Sequence, residues 1–267
     1  MPRAGVIDSR AFTGSGCVQQ IKAQASVSII IPAHNEAYRL PRTLENVVRY
    51  LQTKPFAFEI IIVDDHSTDP TPQVLEDVRA RWGFLKVLRN ERNRGKGYSV
   101  RRGVLQAQHD YVLFTDSDLS TPITEMDKLL GALESGYDLA IGSRAADPQL
   151  ARAGQSWLRR LLGSLFALLT RLVLGLPYRD TQCGFKAFVR RQARPLFAAQ
   201  RIEGFGFDPE ILFLARRAGL RCAEVGVVWR HDPDSRIHIW RDGWRMLVDL
   251  FRVRWYSLRG FYARPAA

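Results

Sequence analysis

The chain lacks the features of a disulfide-stabilised, zinc-binding or membrane-spanning protein. It has three cysteines, Cys17, Cys183 and Cys222, and no C-x-x-C pair. Cysteines so far apart argue against a zinc site or a disulfide framework and favour a reducing compartment. Arginines interrupt the Leu-rich stretch 158–176, so no uncharged run reaches the roughly 20 residues that a membrane span needs. Residues 1–25 contain no apolar run and predict a flexible tail without a secretory signal.

Acidic residues are scarce relative to basic ones. The 27 Asp and Glu face 39 Lys and Arg, which gives a net charge of +12. This balance predicts a polyanionic partner: a nucleic acid, a phosphorylated substrate or an anionic membrane surface. The basic excess is concentrated in residues 151–201, where Asp180 is the only acid. Hydrophobic residues make up 46% of the chain, enough for the core of one large domain.

Strand and helix patterns alternate along the first half of the chain. Apolar, β-branched or aromatic runs predict strands at 27–31, 59–63, 86–88, 111–115 and 138–141. Helical patterns lie between them at 40–51, 71–82, 98–107 and 124–133. This order predicts an α/β fold with a mostly parallel, Rossmann-like sheet and helices on both faces. Further on, we expect a helix at 209–218, a strand at 221–229 and an amphipathic helix within 239–267.

Two carboxylates, Asp116 and Asp118, directly follow the predicted strand 111–115. In an open α/β sheet, ligands bind beyond the carboxyl ends of the strands. Two oxygen donors so close together suit Mg²⁺ or Mn²⁺, which complete their coordination with substrate phosphates. The same Asp-Ser-Asp triplet is also typical of an ordinary strand-to-helix turn, because such side chains satisfy backbone groups.

Polar loops follow the other predicted strands as well. Pro32-Ala33-His34-Asn35-Glu36 follows the first strand and Asp64-Asp65 the second, so acceptors from both would meet at one edge of the sheet. Arg94-Gly95-Lys96-Gly97 follows the third and precedes a helix, an arrangement that favours anions. Gly142-Ser143-Arg144 ends the fifth strand, where an arginine either clamps phosphate or lies in a surface turn.

These motifs together resemble glycosyltransferase family 2, the inverting nucleotide-sugar transferases of the GT-A fold. The motifs are I-I-I-P-A-H-N-E, I-I-V-D-D-H-S-T-D, R-G-K-G, F-T-D-S-D and I-G-S-R. The segment R-D-T-Q-C-G-F-K at 179–186 and F-D-P-E at 207–210 resemble, more narrowly, the dolichyl-phosphate β-glucosyltransferases, with the dolichyl-phosphate mannose synthases as relatives. The resemblance covers residues 26–238 and implies a catalytic domain with a donor half, 26–145, and an acceptor half, 146–238.

The resemblance implies roles for individual residues. The expected nucleotide-sugar contacts are Pro32, Asn35, Glu36, Asp64, Asp65, Lys96, Asp116 and Arg236. Asp116 and Asp118 would bind Mg²⁺ or Mn²⁺. The expected contacts to the acceptor phosphate are Arg144, Arg160 and Ser164. His231 is unusual at its position and is either a further metal ligand or a structural residue.

The implied reaction transfers glucose from UDP-glucose to dolichyl or polyprenyl phosphate. The attacking oxygen belongs to a phosphate that is already anionic near pH 7, so no strong general base is required. Asp208 and Glu210 would orient the acceptor, or act as base toward a hydroxyl acceptor. Alternatively, both are acids placed at a helix N-terminus, where the helix dipole favours them.

Other functions remain open from the sequence. A related family 2 enzyme would use GDP-mannose or a saccharide acceptor. The basic charge also allows a nucleic-acid- or membrane-binding protein without catalysis, but no RNP, helix-turn-helix or zinc signature is present, so we expect no nucleic-acid partner. Residues 158–176 and 239–262 have the apolar and arginine faces of interfacial helices. They predict peripheral association with the cytoplasmic face of a membrane, although the same helices could instead pack on the sheet or form a dimer interface.

Overall fold

A computed structural model describes residues 25–146, 157–230 and 239–262, except for the side chains of 157–162 and 239–241. The described residues form a sheet of seven strands in the order β3-β2-β1-β4-β6-β5-β7. The strands are β1 Ser26–Ala33, β2 Ala57–Asp64, β3 Leu85–Arg89, β4 Tyr111–Thr115, β5 Leu139–Ser143, β6 Phe185–Val189 and β7 Cys222–Gly226. The helices are α1 Leu40–Leu51, α2 Thr71–Arg81, α3 Lys96–Gln106, α4 Met126–Glu134, α5 Trp157–Leu174, α6 Arg190–Ala199, α7 Phe207–Arg217 and α8 Ile239–Leu258.

Helices cover both faces of the sheet, as the sequence predicts. Successive strand residues point to opposite faces, so Ile29 and Ile31 pack in one core with α1 and α4, while Ile30 packs in the other with α3 and α7. The strands β1 and β2 are buried on both sides because each face has its own layer of helices.

One inner strand runs against the others. β6 pairs antiparallel with both β4 and β5, while the remaining pairs are parallel. Its sequence, Phe-Lys-Ala-Phe-Val, places Lys186 at 0% exposure in the middle of the sheet. Because β6 is antiparallel, the turn before it returns to the edge where β1, β2, β4 and β5 end. The sheet thus joins strands from both predicted halves of the catalytic domain.

The C-terminal helix packs on the body of the protein. Leu250 and Val253 of α8 are fully buried, and Tyr262 beyond the helix is 3% exposed. The helix contacts α5 and α7. No helix in the described part of the chain is both long enough and apolar enough to cross a membrane.

Candidate active site

Asp116 lies at the carboxyl end of β4, between a lysine and a glycine. Lys96, the first residue of α3, forms an ion pair through Nζ with Asp116 Oδ1. On the other side Gly184 packs so closely that a Cβ there would lie 2.0 Å from Asp116 Oδ2. The side chain of Asp116 is 38% exposed. Its carboxylate is therefore fixed in direction and still open to a ligand.

Asp118 provides the second carboxylate of the triplet. Its Oδ1 accepts the Ser120 N–H at 2.9 Å, so Asp118 also shapes the turn after β4. Burial raises the pKa of Asp118, and the neighbouring negative charge of Asp116 raises it further. Two mutually repelling oxygen donors at a strand end suit a divalent cation, which would neutralise both.

The donor set fits a metal that is shared with a ligand. Among the described residues, no group of three or more His, Cys, Asp or Glu side chains is arranged to hold a metal ion. Two carboxylates, Asp116 and Asp118, leave the remaining coordination positions to water and phosphate oxygens, as Mg²⁺ and Mn²⁺ usually require in nucleotide sites.

Lys96 is positioned by a turn that Asp65 holds together. The Asp65 carboxylate accepts the backbone N–H of Arg94 at 2.9 Å and of Gly95 at 2.7 Å, and the amide of Asn90 at 2.7 Å. Gly95 has a φ of +100°, which favours glycine. Burial alone would lower the pKa of Lys96, but nearby carboxylates, Asp116 first, raise it overall. Lys96 is therefore a charged ammonium at the edge of the sheet.

The loops after β1 and β2 are tied to each other. Asn35, at a φ of +58°, accepts the Thr68 N–H on Oδ1 at 2.8 Å and donates its own N–H to Ser67 Oγ at 2.9 Å. Glu36 donates its backbone N–H to Thr71 Oγ1 at 2.8 Å. Pro32 lies within β1, opposite Val63 of β2. Asn35 thus holds the two loops as one wall of the site.

Asp64 is the residue of this wall with spare acceptor capacity. It is 1% exposed, and its Oδ1 accepts the Ser67 N–H at 2.9 Å. Its Oδ2 has no hydrogen-bond donor among the described residues, although Arg89 Nε lies 3.4 Å away. A buried carboxylate oxygen without a donor is costly, and a donor from a ligand would satisfy it.

Arg144, which follows β5, is engaged by an acid that the sequence analysis did not assign to the site. Asp180 accepts Arg144 Nε at 2.6 Å, Nη2 at 2.9 Å and the backbone N–H at 3.0 Å. Although burial acts to raise the pKa of Asp180, the guanidinium outweighs it and lowers the pKa to about 2. Buried Glu224 holds the same loop by accepting the Asp180 N–H at 2.9 Å. Arg144 therefore lies at the edge of the sheet in one fixed orientation.

Asp208 and Glu210, two residues apart in α7, belong to separate networks. Asp208 forms a buried ion pair with Lys186, and the exposed fractions of these side chains are 3% and 1%. Burial raises the pKa of Asp208, and the Lys186 and Lys96 ammonium groups act against it. Lys186 Nζ also donates to the Cys183 carbonyl at 2.5 Å, next to Gly184, so the ion pair lies on the Asp116 side. Lys186 is the last residue of the motif at 179–186, but the sequence assigned it no role in the site; a lysine inside an otherwise apolar strand was the further signal.

Glu210 holds the loop after α6. Its carboxylate accepts the backbone N–H groups of Arg201 and Ile202, each at 2.9 Å, and the hydroxyl of Tyr262 at 2.6 Å. Burial raises the pKa of Glu210, while these hydrogen bonds act to lower it. With its oxygens engaged by the protein, Glu210 is placed to support the loop rather than to reach a substrate.

The remaining predicted site residues are Ser164, Arg160, Arg236 and His231. Ser164 is exposed on α5. Arg236 and His231 lie outside the described residues, and so does the side chain of Arg160. Their expected contacts with phosphate or metal stay predictions.

Comparison with known proteins identifies the family. The model of Glycosyl transferase family 2 matches residues 28–195. The chain belongs to glycosyltransferase family 2. The dolichyl-phosphate beta-glucosyltransferase of Drosophila melanogaster is 37% identical over 240 residues, which cover 85% of this chain and 74% of the relative. The enzymes of the same name from Dictyostelium discoideum and Homo sapiens are 34% and 31% identical, and each match covers 88% of this chain and 76% of the relative.

Solved structures share the fold of this family 2 chain. Glucosyl-3-phosphoglycerate synthase from Mycobacterium tuberculosis, in complex with UDP, matches with a TM-score of 0.61 at 19% identity over 95% of this chain and 86% of that one. The mannosyltransferase PcManGT from Pyrobaculum calidifontis, in complex with GDP-Man and Mn²⁺, matches with a TM-score of 0.59 at 18% identity over 90% of this chain and 66% of that one. The expected family and its GT-A fold are thereby confirmed.

Proposed function

We propose that this family 2 transferase moves glucose from UDP-glucose to dolichyl or polyprenyl phosphate. The observation that carries the proposal is the pair Asp116 and Asp118 at the end of β4, opposed by Lys96, in a chain whose relatives are named dolichyl-phosphate beta-glucosyltransferase. The site collects oxygen donors and an ammonium group where a nucleoside diphosphate needs a cation and hydrogen-bond acceptors.

The loops after β1 and β2 are proposed to hold the nucleoside. Asp64 Oδ2 offers a buried acceptor to a ribose hydroxyl or a base N–H, because it has no donor among the described residues. Pro32 and Glu36 would complete that wall, and Asn35 and Asp65 would position it through the backbone. Lys96 would then contact the diphosphate.

Asp116 and Asp118 would hold Mg²⁺ or Mn²⁺ at this site. A bound divalent cation supplies Lewis-acid stabilisation of the negative charge that develops on the leaving diphosphate. The structure of a fold relative from Mycobacterium tuberculosis contains Mn²⁺ together with UDP-glucose. In this chain Gly184 keeps the Asp116 carboxylate directed toward the edge of the sheet, since any side chain there would displace it.

The acceptor phosphate is proposed to bind beside Arg144, with Arg160 and Ser164 as further contacts and Arg236 near the donor phosphate. A phosphate oxygen attacks the anomeric carbon while the diphosphate leaves, and this single displacement inverts the configuration. Because the attacking group is already an anion, the reaction does not depend on a strong base. This fits an Asp208 that is neutralised by Lys186.

Helices α5 and α8 are proposed to bring the site to the cytoplasmic face of a membrane, where a lipid-linked acceptor would lie. Exposed apolar side chains on these helices include Leu165, Leu168 and Leu172 of α5 and Trp244, Phe251, Trp255 and Leu258 of α8. The apolar side chains lie among arginines, which is the composition of helices that rest in the headgroup region.

Transfer assays with UDP-glucose and GDP-mannose, each with a short-chain polyprenyl phosphate and Mn²⁺, test the proposal. We expect transfer from UDP-glucose and a loss of about 100-fold or more in Asp118→Asn, because one anionic ligand and its charge stabilisation are removed. Glu45→Gln, at an exposed carboxylate of α1, is the control. Turnover with GDP-mannose alone, or only with free saccharide acceptors, would refute the assignment of donor or acceptor.

A further inference from the structure

A cavity of about 390 Å³ lies where the C-terminal end of α5 meets α7 and α8. Three arginines line it: Arg216 and Arg217 from the last turn of α7, and Arg254 from α8. Asp208, which faces the candidate active site, is on the first turn of the same helix, roughly 14 Å away at 1.5 Å per residue. The cavity is therefore separate from the site that binds the donor.

Within the part of the chain that the structure describes, no carboxylate neutralises the positive charge of this cavity. None of the eight residues that line it is acidic. Within the described ranges, no carboxylate forms an ion pair with Arg216, Arg217 or Arg254. Uncompensated guanidinium groups around one concavity attract an anion, and their planar forks match phosphate oxygens.

One of the guanidinium groups is held in place by its neighbours, and a second lies close to the end of α5. Arg217 donates from Nη1 to Ser257 Oγ, and its guanidinium lies 5.9 Å from the centre of the Phe213 ring. Arg216 packs against Gly175, where an added Cβ would lie 3.4 Å from Arg216 Nη1. Because the contacts of Arg217 limit the freedom of its side chain, less entropy is lost when an anion binds.

An exposed apolar wall continues from the cavity. Leu172 lines the cavity and is 73% exposed, and it shares a face of α5 with Leu165 and Leu168, which lie seven and four residues earlier. Residues with these spacings lie on one side of a helix. A free phosphate ion gains nothing from an apolar surface, whereas the acyl chain of a lipid is stabilised by packing against it.

We propose that this arginine cavity binds the phosphate headgroup of an anionic membrane lipid, with the acyl chain along the leucines of α5. The inference rests on the proposed function, since it identifies the lipid contact through which the enzyme would dock beside its acceptor. It adds a binding site for a bilayer lipid that is distinct from the acceptor-phosphate site at Arg144.

Binding to vesicles tests the cavity directly. The triple variant Arg216→Gln, Arg217→Gln, Arg254→Gln is compared with a charge-matched control on α1 and α2, Arg49→Gln, Arg79→Gln, Arg81→Gln. Co-sedimentation is measured with vesicles of phosphatidylcholine with and without phosphatidylserine. Near an anionic surface each arginine contributes about fivefold in affinity, so the cavity variant should lose about 100-fold on phosphatidylserine vesicles. The control, on the opposite face of the sheet, should lose less than about threefold.

Soluble probes separate a lipid site from a phosphate site. Titration calorimetry uses dihexanoyl phosphatidylserine below its micelle concentration, and inorganic phosphate. We expect the wild type to bind the lipid saturably, one to one, and to bind inorganic phosphate much more weakly. Leu172→Gln should lose affinity several-fold for the lipid but not for inorganic phosphate. This single variant also tests the proposal if the triple variant does not fold. Equal binding of lipid and inorganic phosphate, or a triple variant that binds vesicles like the control, would overturn the proposal.

The outcome is independent of the transfer reaction. Glucose transfer to a short-chain polyprenyl phosphate in detergent needs no bilayer, so it reports on the proposed function alone. A wild-type enzyme that transfers glucose in detergent but does not bind phosphatidylserine vesicles would overturn the lipid cavity and leave the proposed function intact.

Discussion

Replacing Glu210 by Gln distinguishes support of a loop from acid–base chemistry. The wild-type carboxylate is fully buried and accepts three hydrogen bonds: from the Arg201 N–H, the Ile202 N–H and the Tyr262 hydroxyl. Gln keeps one acceptor oxygen and places an amide NH₂ against a backbone N–H, so at least one buried donor loses its partner.

The expected loss of stability follows from the number of hydrogen bonds that Gln cannot make. A buried donor without a partner costs about 1–3 kcal/mol, and hydrogen bonds to a charged group contribute about 1.5–3 kcal/mol. Removing a buried charge recovers part of this, because burial raises the pKa of Glu210 and thus disfavours its ionised form. We expect a net loss of about 2 kcal/mol in the free energy of unfolding. For a domain of this size, that lowers Tm by about 4–8 °C.

The loop that Glu210 supports also positions the donor site. Gln200 donates to the Gly97 carbonyl at 2.9 Å, and the Tyr98 N–H donates to the Glu203 carbonyl at 3.0 Å. These contacts hold the first turn of α3, which begins with Lys96. Glu210→Gln should therefore raise KM for UDP-glucose while kcat changes little, whereas loss of a general base typically lowers kcat by about 10²–10⁴.

Tyr262→Phe is the matched control, because it perturbs the same network and cannot remove a base. Calorimetry and steady-state kinetics on both single variants and on the double variant complete the measurement. Since the two side chains share a hydrogen bond, their effects on stability should be non-additive by about 1 kcal/mol or more. A Glu210→Gln enzyme with wild-type Tm and a kcat lowered more than about 100-fold would refute a structural role for Glu210.

Three further substitutions test the packing around the site. Gly184→Ala should abolish UDP and Mn²⁺ binding in calorimetry, because the new methyl would lie 2.0 Å from Asp116 Oδ2; wild-type affinity would contradict this. Lys186→Met should lower the unfolding free energy by about 3–5 kcal/mol by leaving Asp208 unpaired, and adding Asp208→Leu should restore most of that stability without activity. Asp180 has a pKa of about 2, below the unfolded value of about 3.9, so it stabilises the fold above roughly pH 4. The difference in unfolding free energy between wild type and Asp180→Asn should shrink by about 2 kcal/mol as the pH falls from 5 to 2, and a constant difference would count against the ion pair.

Most of the donor side of the fold could be predicted from periodicity. The helix at 40–51 and the strand at 111–115 have their predicted bounds, and the first strand extends beyond 27–31 to Ser26–Ala33. Such agreement is expected where a strand is apolar throughout and a helix has one apolar face, because burial and local propensity then favour the same structure.

The strand β6 and the helix α6 were missed for a physical reason. Lys186 interrupts the apolar pattern of β6, and its burial is possible only because Asp208, more than twenty residues later, neutralises it. Helix α6 contains Pro195 in its interior, which argues against a helix, and three of its first five residues are arginines, which leave few apolar positions to mark a buried face. The ion pair that makes the burial of Lys186 possible joins residues far apart in sequence, so periodicity could not reveal it.

In the candidate active site, too, contacts between residues distant in sequence could not be predicted. Motifs at strand ends brought Asp116, Asp118 and Lys96 to attention, and the structure brings Lys96 and Asp116 into contact. The functions of Asp65 and Glu210 depend on which backbone N–H groups their carboxylates meet, and those partners come from loops distant in sequence. Residue type alone could not separate a ligand contact from a support.

The inner position of β6 has a consequence for folding during synthesis. β4 lies beside β1 on one side, but its other edge is covered only when residues 185–189 have emerged and inserted between β4 and β5. Until then an apolar strand keeps a free edge, which is a template for pairing with other chains. The insertion of β6 also brings Gly184 against Asp116. A nascent chain therefore protects itself from aggregation and completes its candidate metal site in the same event.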